Sequence, residues 1–219
     1  PLDSSNLCYK AYHILSKKCN RDLGIEIYLE KKVPTGTGIG GGSANAAATL
    51  LAINSIYNLK FDSKQLEQIG SSIGADVPFF INGGTQIGEE AGYKLTPINE
   101  KLDAEILLVL PSVPISTKWA YAQIKNKLNS HNSIPKFADL MRKDFLSFKF
   151  FENDFEKIVI PAYPEIGSIK NKLLDSGAKF ASLSGSGSTV FGIFDDKAYA
   201  KKAASYFHNS HLTILTRPI

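Results

Sequence analysis

The stretch Pro34-Thr-Gly-Thr-Gly-Ile-Gly-Gly-Gly-Ser43-Ala-Asn45-Ala-Ala-Ala48 crowds five glycines, Gly36, Gly38, Gly40, Gly41 and Gly42, into seven positions. Glycine permits positive φ and lets a ligand approach the backbone closely. The alanine-rich run that follows, from Ser43 to about Asn58, has the Ala and Leu content of a helix. Upstream, residues 24–31 alternate: Ile25, Ile27 and Leu29 share one face, and Glu26, Tyr28 and Glu30 the other. That is the pattern of a half-buried strand. A glycine loop between strand and helix receives the unsatisfied N–H groups and positive dipole end of the helix, so it suits an anion, most naturally a polyphosphate. A merely flexible turn is the competing reading; five glycines in this position weigh against it.

Two well-known phosphate loops do not fit. A Walker A loop ends in Gly-Lys-Ser/Thr, and no lysine occurs here. Gly36-x-Gly38-x-x-Gly41 does match the dinucleotide fingerprint, which also requires a second parallel strand ending in an acidic residue some 20 positions on. Here two successive helices are expected instead, and Asp62 falls at the cap of the second. A dinucleotide-dependent oxidoreductase therefore lacks its confirming context.

The rest of the chain reads as α+β. Asp3, Ser4 or Ser5 is expected to cap a first helix carrying Leu7, Ala11, Ile14 and Leu15. Asp62 or Ser63 caps a helix that ends near Gly74, with GADVP as a loop, and 84–89 is a second strand candidate. Beyond a boundary near 98–104, strands are expected at 105–110, 179–183, 189–194 and 212–217, with helices over about 117–128, from Pro164 to a stop at Gly177, and over 196–207. Residues 129–152 resist assignment. This order is a ferredoxin-like sandwich with an inserted helix, residues 101–219, behind a first domain of residues 1–100. The first hundred residues offer too few strands for a stable sheet, and the chain opens at Pro1 without methionine, so a missing N-terminal segment is expected.

Composition narrows the classes. Of 219 residues 43% are hydrophobic and the net charge is +4, with lysine pairs dispersed, which argues against a nucleic-acid stripe and suits anionic small molecules. Ile106–Leu110 is far too short to span a bilayer, and no signal peptide opens the chain, so a soluble, cytoplasmic protein is expected. Cys8 and Cys19 form no CxxC pair, and His208 and His211 read as a surface turn rather than a zinc pair.

PTGTGIGGGSANAAA resembles the ATP loop of the GHMP kinases, P-x-x-x-G-L-G-S-S-A, and its extra glycines resemble the 4-diphosphocytidyl-2-C-methyl-D-erythritol kinases among them. Gly74-Ala-Asp-Val-Pro-Phe-Phe80 looks like that family's catalytic segment, Asn153-Asp154 before a Pro-opened helix like its NDLE region, and Leu183-Ser-Gly-Ser-Gly-Ser-Thr189 like its C-terminal glycine motif. Together they cover nearly the whole chain in family order. Ala44 stands where the family often has a second serine, Leu183 where it often has methionine, and the family's N-terminal lysine strand and DGYH-like segment find no counterpart.

The resemblance implies the two-domain GHMP fold, with an incomplete S5-like first domain, and ATP-dependent phosphorylation of the 2-hydroxyl of a cytidine diphosphate derivative in non-mevalonate isoprenoid synthesis. ATP and Mg²⁺ are the implied cofactors, and no nucleic-acid or membrane partner is expected. A homoserine or mevalonate type of kinase, or an inactive nucleotide-binding fragment, are the alternatives. Asp76 is the implied catalytic base; by composition alone it would be a loop or capping residue. Pro34, Gly36, Gly38, Gly40, Gly41, Gly42 and Ser43 would hold ATP phosphates, with Ser43 toward Mg²⁺ unless it is only a helix cap. Asn6, Lys31 and Asn45 match positions near the adenosine; Asn6 could instead cap a helix. Tyr121 would pack on cytosine or in the core, and Gly185 and Gly187 would wall the cleft or form a tight hairpin. Without the missing segment, little or no activity is expected.

Overall fold

The computed structural model describes residues 3–89, 92, 94–98, 102–125 and 151–218. The chain divides into two compact units: residues 1–35 with 40–100, and residues 36–39 with 101–219. The glycine loop is thus shared, its first half Gly36–Ile39 belonging with the C-terminal unit.

In the first unit, helix α1 (Leu7–Lys18) is capped by Asn6, whose Oδ1 accepts from Cys8 N at 3.0 Å. The cap is therefore Asn6 rather than Asp3, Ser4 or Ser5; the side-chain oxygen of Asp3 instead accepts from Ser5 N. Lys17 and Lys18 lie in the last turn, where cations complement the helix dipole. Helix α2 (Gly41–Ile56) begins two residues earlier than expected, because Gly40 at φ +68° supplies the reversal that starts it. Ser43 is consequently inside the first turn and is not the cap. Helix α3 (Ser63–Ser71) opens with a reciprocal capping box between Asp62 and Gln65. GADVP is only partly a loop, since Val77 and Pro78 already begin helix α4 (Val77–Asn82). Proline suits a first helical turn, where its missing N–H has no intrahelical partner. Leu15, Leu50, Ile53, Leu66 and Val77 from the four helices form the buried core, together with Leu23.

The strand expected at 24–31 is not one. Ile25 and Leu29 are half-buried, but Ile27 is 41% and Tyr28 90% exposed, and none of the described segments pairs with it. Alternation supplies a face, whereas a strand also needs a ladder to satisfy its backbone groups. The candidate at 84–89 is strand β1 (Thr85–Glu89), paired antiparallel with β2 (Lys94–Ile98), Gln86 opposite Pro97. Pro97 masks β2 in the sequence; a two-stranded ribbon consists of edges only, so a proline is tolerated there.

In the second unit, β3 (Glu105–Leu110), β4 (Phe180–Leu183), β5 (Val190–Phe194) and β6 (Leu212–Thr216) form an antiparallel sheet in the order β4-β5-β3-β6. That is the ferredoxin-like order expected. Helices α5 (Thr117–Lys125), α6 (Glu156–Ala162), α7 (Pro164–Asp175) and α8 (Lys197–Phe207) accompany it. Leu107, Val109, Ile166, Leu173, Val190 and Phe194 are wholly or almost wholly buried in its core. Gly177, at φ +96°, follows α7 as expected. The end of the helix expected to run to Leu128, and most of 129–152, lie outside the described residues. Helix α6 gave no clear signal because β-branched Ile158, Val159 and Ile160 and the internal Pro161 are poor helix formers. His208 and His211 lie in the turn after α8, as expected, and His211 has partners there: Nε2 lies 3.1 Å from Glu165 Oε1, Nδ1 is 2.7 Å from Ser210 Oγ, and the ring meets Phe207 edge-on. No helix among the described residues is long and apolar enough to cross a membrane.

Candidate functional site

Three features converge on the start of α2 within the first unit. The helix presents its N–H groups with no acidic residue in the first turn and no side-chain cap, so its positive end is uncompensated. Its cap residue Gly40 lies against the Phe80 ring: a Cβ there would fall 2.7 Å from it. Ser43 Oγ lies 4.0 Å from where a Gly74 Cβ would be. The segment Gly74–Phe80 therefore wraps the first turn of α2. Asp76 belongs to that segment; it precedes α4 with φ −87° and ψ −9°, is exposed, and makes no side-chain capping bond. An exposed carboxylate beside a helix start is free to accept a proton from a bound alcohol.

Beside it opens a cavity of about 790 Å³, lined by Asn6, Tyr9 and Tyr12 around α1, by Ile25, Ile27, Tyr28, Leu29 and Lys31, and by Thr35, Gly42 and Asn45. Asn6, Lys31 and Asn45, separated by up to 39 positions in the chain, are brought to one cavity, and Gly42 ties it to the glycine loop. Asn6 caps α1 and lines the cavity at once, so the two readings of it are compatible. At the rim the Ser5 hydroxyl, and then its backbone N–H, hold the Asp3 carboxyl below its usual range. The Tyr12 hydroxyl donates to Asp22 Oδ1 at 2.7 Å, which raises its pKa. Tyr9, Tyr12 and Tyr28 were not read as site residues; the alternation at 24–31 identified the segment but assigned it to a sheet.

In the second unit the glycine motif turns β4 into β5, so Gly185 and Gly187, at φ +55° and +94°, are hairpin residues. The same hairpin holds the first half of the glycine loop. Ser184 Oγ donates to Gly38 O at 3.0 Å and Thr189 N to Thr37 O at 3.1 Å. Gly38, at φ +80°, is so close that a Cβ would lie 2.2 Å from Ser184 O and 2.8 Å from Gly187 O. Ser186 Oγ donates to Thr117 Oγ1 at 3.1 Å, linking the hairpin to the start of α5. One turn on, Tyr121 is 55% exposed and meets Phe155 edge-on at 4.9 Å, so it is not a core residue. Pro34 and Gly36 are exposed.

No group of three or more His, Cys, Asp or Glu converges as a metal cage among the described residues. A magnesium ion carried with a nucleotide keeps waters and phosphate oxygens as ligands and asks the protein for only one or two oxygens. Ser43, in the first turn of α2, carries one hydroxyl oxygen of that kind.

Residues 6–84 match the GHMP kinases N terminal domain, and residues 124–213 the GHMP kinases C terminal domain. A 4-diphosphocytidyl-2-C-methyl-D-erythritol kinase of Thermodesulfovibrio yellowstonii is 40% identical over 210 residues, which cover 93% of this chain and 74% of that protein. A crystal structure of 4-(cytidine 5'-diphospho)-2C-methyl-D-erythritol kinase superposes with a TM-score of 0.81 at 26% identity, over 98% of this chain and 78% of that one. A homoserine kinase of Cytophaga hutchinsonii superposes with a TM-score of 0.77 at 20% identity, over 100% and 78% of the two chains, which is a likeness of fold. The chain belongs to the GHMP kinase family, in the group of the 4-diphosphocytidyl-2-C-methyl-D-erythritol kinases.

Proposed function

We propose that the protein transfers the γ-phosphoryl group of ATP to the 2-hydroxyl of 4-diphosphocytidyl-2-C-methyl-D-erythritol, a step in non-mevalonate isoprenoid precursor synthesis. The observation that carries this reading is the wrapping of the Asp76 segment around the start of α2, in a chain 40% identical to a relative of that name. The triphosphate is assigned to the N-terminus of α2 and to Gly36, Gly38, Gly40, Gly41, Gly42 and Ser43, behind Pro34; the nucleoside is assigned to the cavity with Asn6, Lys31 and Asn45. Tyr121, Gly185 and Gly187 are assigned to the cytidine-bearing substrate.

Asp76 orients the acceptor hydroxyl and takes its proton as the new P–O bond forms and the bond to the β-phosphate oxygen breaks, releasing ADP. Backbone N–H groups at the α2 start stabilise the charge that develops on the transferring group. Mg²⁺, when bound with the nucleotide, neutralises phosphate charge; Ser43 would hold it.

Equilibrium titration tests the nucleotide class: ATP binds and NAD does not, because no acidic ribose partner follows the loop. ADP release is expected to be faster with the cytidine compound than with homoserine or mevalonate. Tight NAD binding without ATP binding, or a preference for homoserine, overturns the reading.

A further inference from the structure

We infer that Asn153 and Glu156 are positioning residues that lock the β4–β5 hairpin, and through it the Thr37–Gly38 half of the phosphate loop. Asn153 Nδ2 donates to two carbonyls of the hairpin, Leu183 O and Gly185 O, both at 2.8 Å. Its Oδ1 accepts from Phe155 N at 3.0 Å, which fixes the amide orientation. Glu156 Oε1 accepts from Leu183 N at 2.8 Å and Ser182 Oγ at 2.9 Å, while Oε2 pairs with Lys170. The Glu156 side chain is only 14% exposed, so its charge is held by these partners rather than by water. The two side chains grip the hairpin from its β4 end to Gly185. Beyond that grip, Ser184 Oγ and Thr189 N bond the carbonyls of Gly38 and Thr37. Four hydrogen bonds thus run from Asn153 and Glu156 to the hairpin and two from the hairpin to the glycine loop, and none of them is a core packing contact.

A residue that only started α6 locally would need its side-chain oxygen alone, to accept from Phe155 N. Asn153→Asp keeps that acceptor and removes both donors to the hairpin. A local turn role therefore predicts that Asp rescues what Asn153→Ala loses. The positioning role predicts that Asp fails, because it removes both donors and turns a carboxylate oxygen toward two carbonyl oxygens, which repel it.

The test reads hydrogen exchange at the Thr189 amide, which donates to Thr37 O, and the KM for ATP against kcat and the KM for the acceptor. This second readout rests on the proposed function; the first does not. In Asn153→Asp, Thr189 exchange is expected to rise about tenfold and the KM for ATP about tenfold, with the acceptor KM raised as well, since Asn153 also holds Gly185 O. Thr189 exchange and ATP KM both at wild-type values in Asn153→Asp overturn the inference. Should the Asn153 variants not fold, Glu156→Gln carries the same readouts, since it keeps an acceptor for Leu183 N but loses the charge facing Lys170; faster Thr189 exchange supports the inference and unchanged exchange overturns it. A wild-type chain that binds no ATP sinks the proposed function instead, and Thr189 exchange still decides this one.

Discussion

Replacing Asp76 with Asn, in a form extended at its N-terminus to the length of its relatives, is expected to lower the rate of phosphoryl transfer by about 10²–10⁴-fold, the usual loss when a positioned general base is removed. ATP affinity is expected to survive. The groups assigned to the phosphates are the glycine loop, the N–H groups of α2 and Ser43, and none of them is touched by the change. The substitution also spares the fold, because the Asp76 side chain is exposed and makes no capping bond. Single-turnover assays beside ATP titration separate the two effects. Full activity in Asp76→Asn would remove this residue from the chemistry. Loss of ATP binding in a folded variant would make it a binding residue.

Gly38→Ala is expected to damage the second unit and the phosphate loop together. A non-glycine residue in the left-handed region costs about 1–2 kcal/mol. The added methyl would also lie 2.2 Å from Ser184 O and 2.8 Å from Gly187 O, two backbone oxygens that cannot rotate away. Overpacking of this kind costs about 1–3 kcal/mol, so the sum is about 2–5 kcal/mol. Gly36→Ala is the control: φ is +74° there, but nothing lies within 4 Å of the added Cβ, so only the backbone cost applies. Thermal unfolding and ATP titration of the two variants are expected to differ, with Gly38→Ala much the worse. Equal effects would contradict the close packing of hairpin on loop.

The second unit was largely legible because its signals are local. β3 carries the apolar run Ile106–Leu110, Pro164 and Gly177 bracket α7, and Asp196 caps α8 by accepting from Ala198 N. The first unit was less so. The alternation at 24–31 told which residues turn inward but not whether a partner strand exists, and Pro97 hid β2. Among the site residues, the glycine loop and Asp76 were visible as motifs, and Asn6, Lys31 and Asn45 came from family resemblance. The tyrosines of the cavity were not visible, since Tyr9, Tyr12 and Tyr28 meet there only through folding. Asn153 was visible only within the NDLE-like stretch and Glu156 not at all, and the hairpin role of both was hidden for a related reason: their partners lie 26 to 32 positions away, and a hydrogen bond at that separation leaves no periodic trace.

The most direct measurement is phosphorus NMR of the product formed from ATP and 4-diphosphocytidyl-2-C-methyl-D-erythritol by a form extended at its N-terminus to the length of its relatives. The account predicts a new phosphomonoester on the 2-position, appearing with one equivalent of ADP and absent with Asp76→Asn. Phosphorylation at another hydroxyl, or ADP release without a phosphorylated cytidine compound, would contradict it.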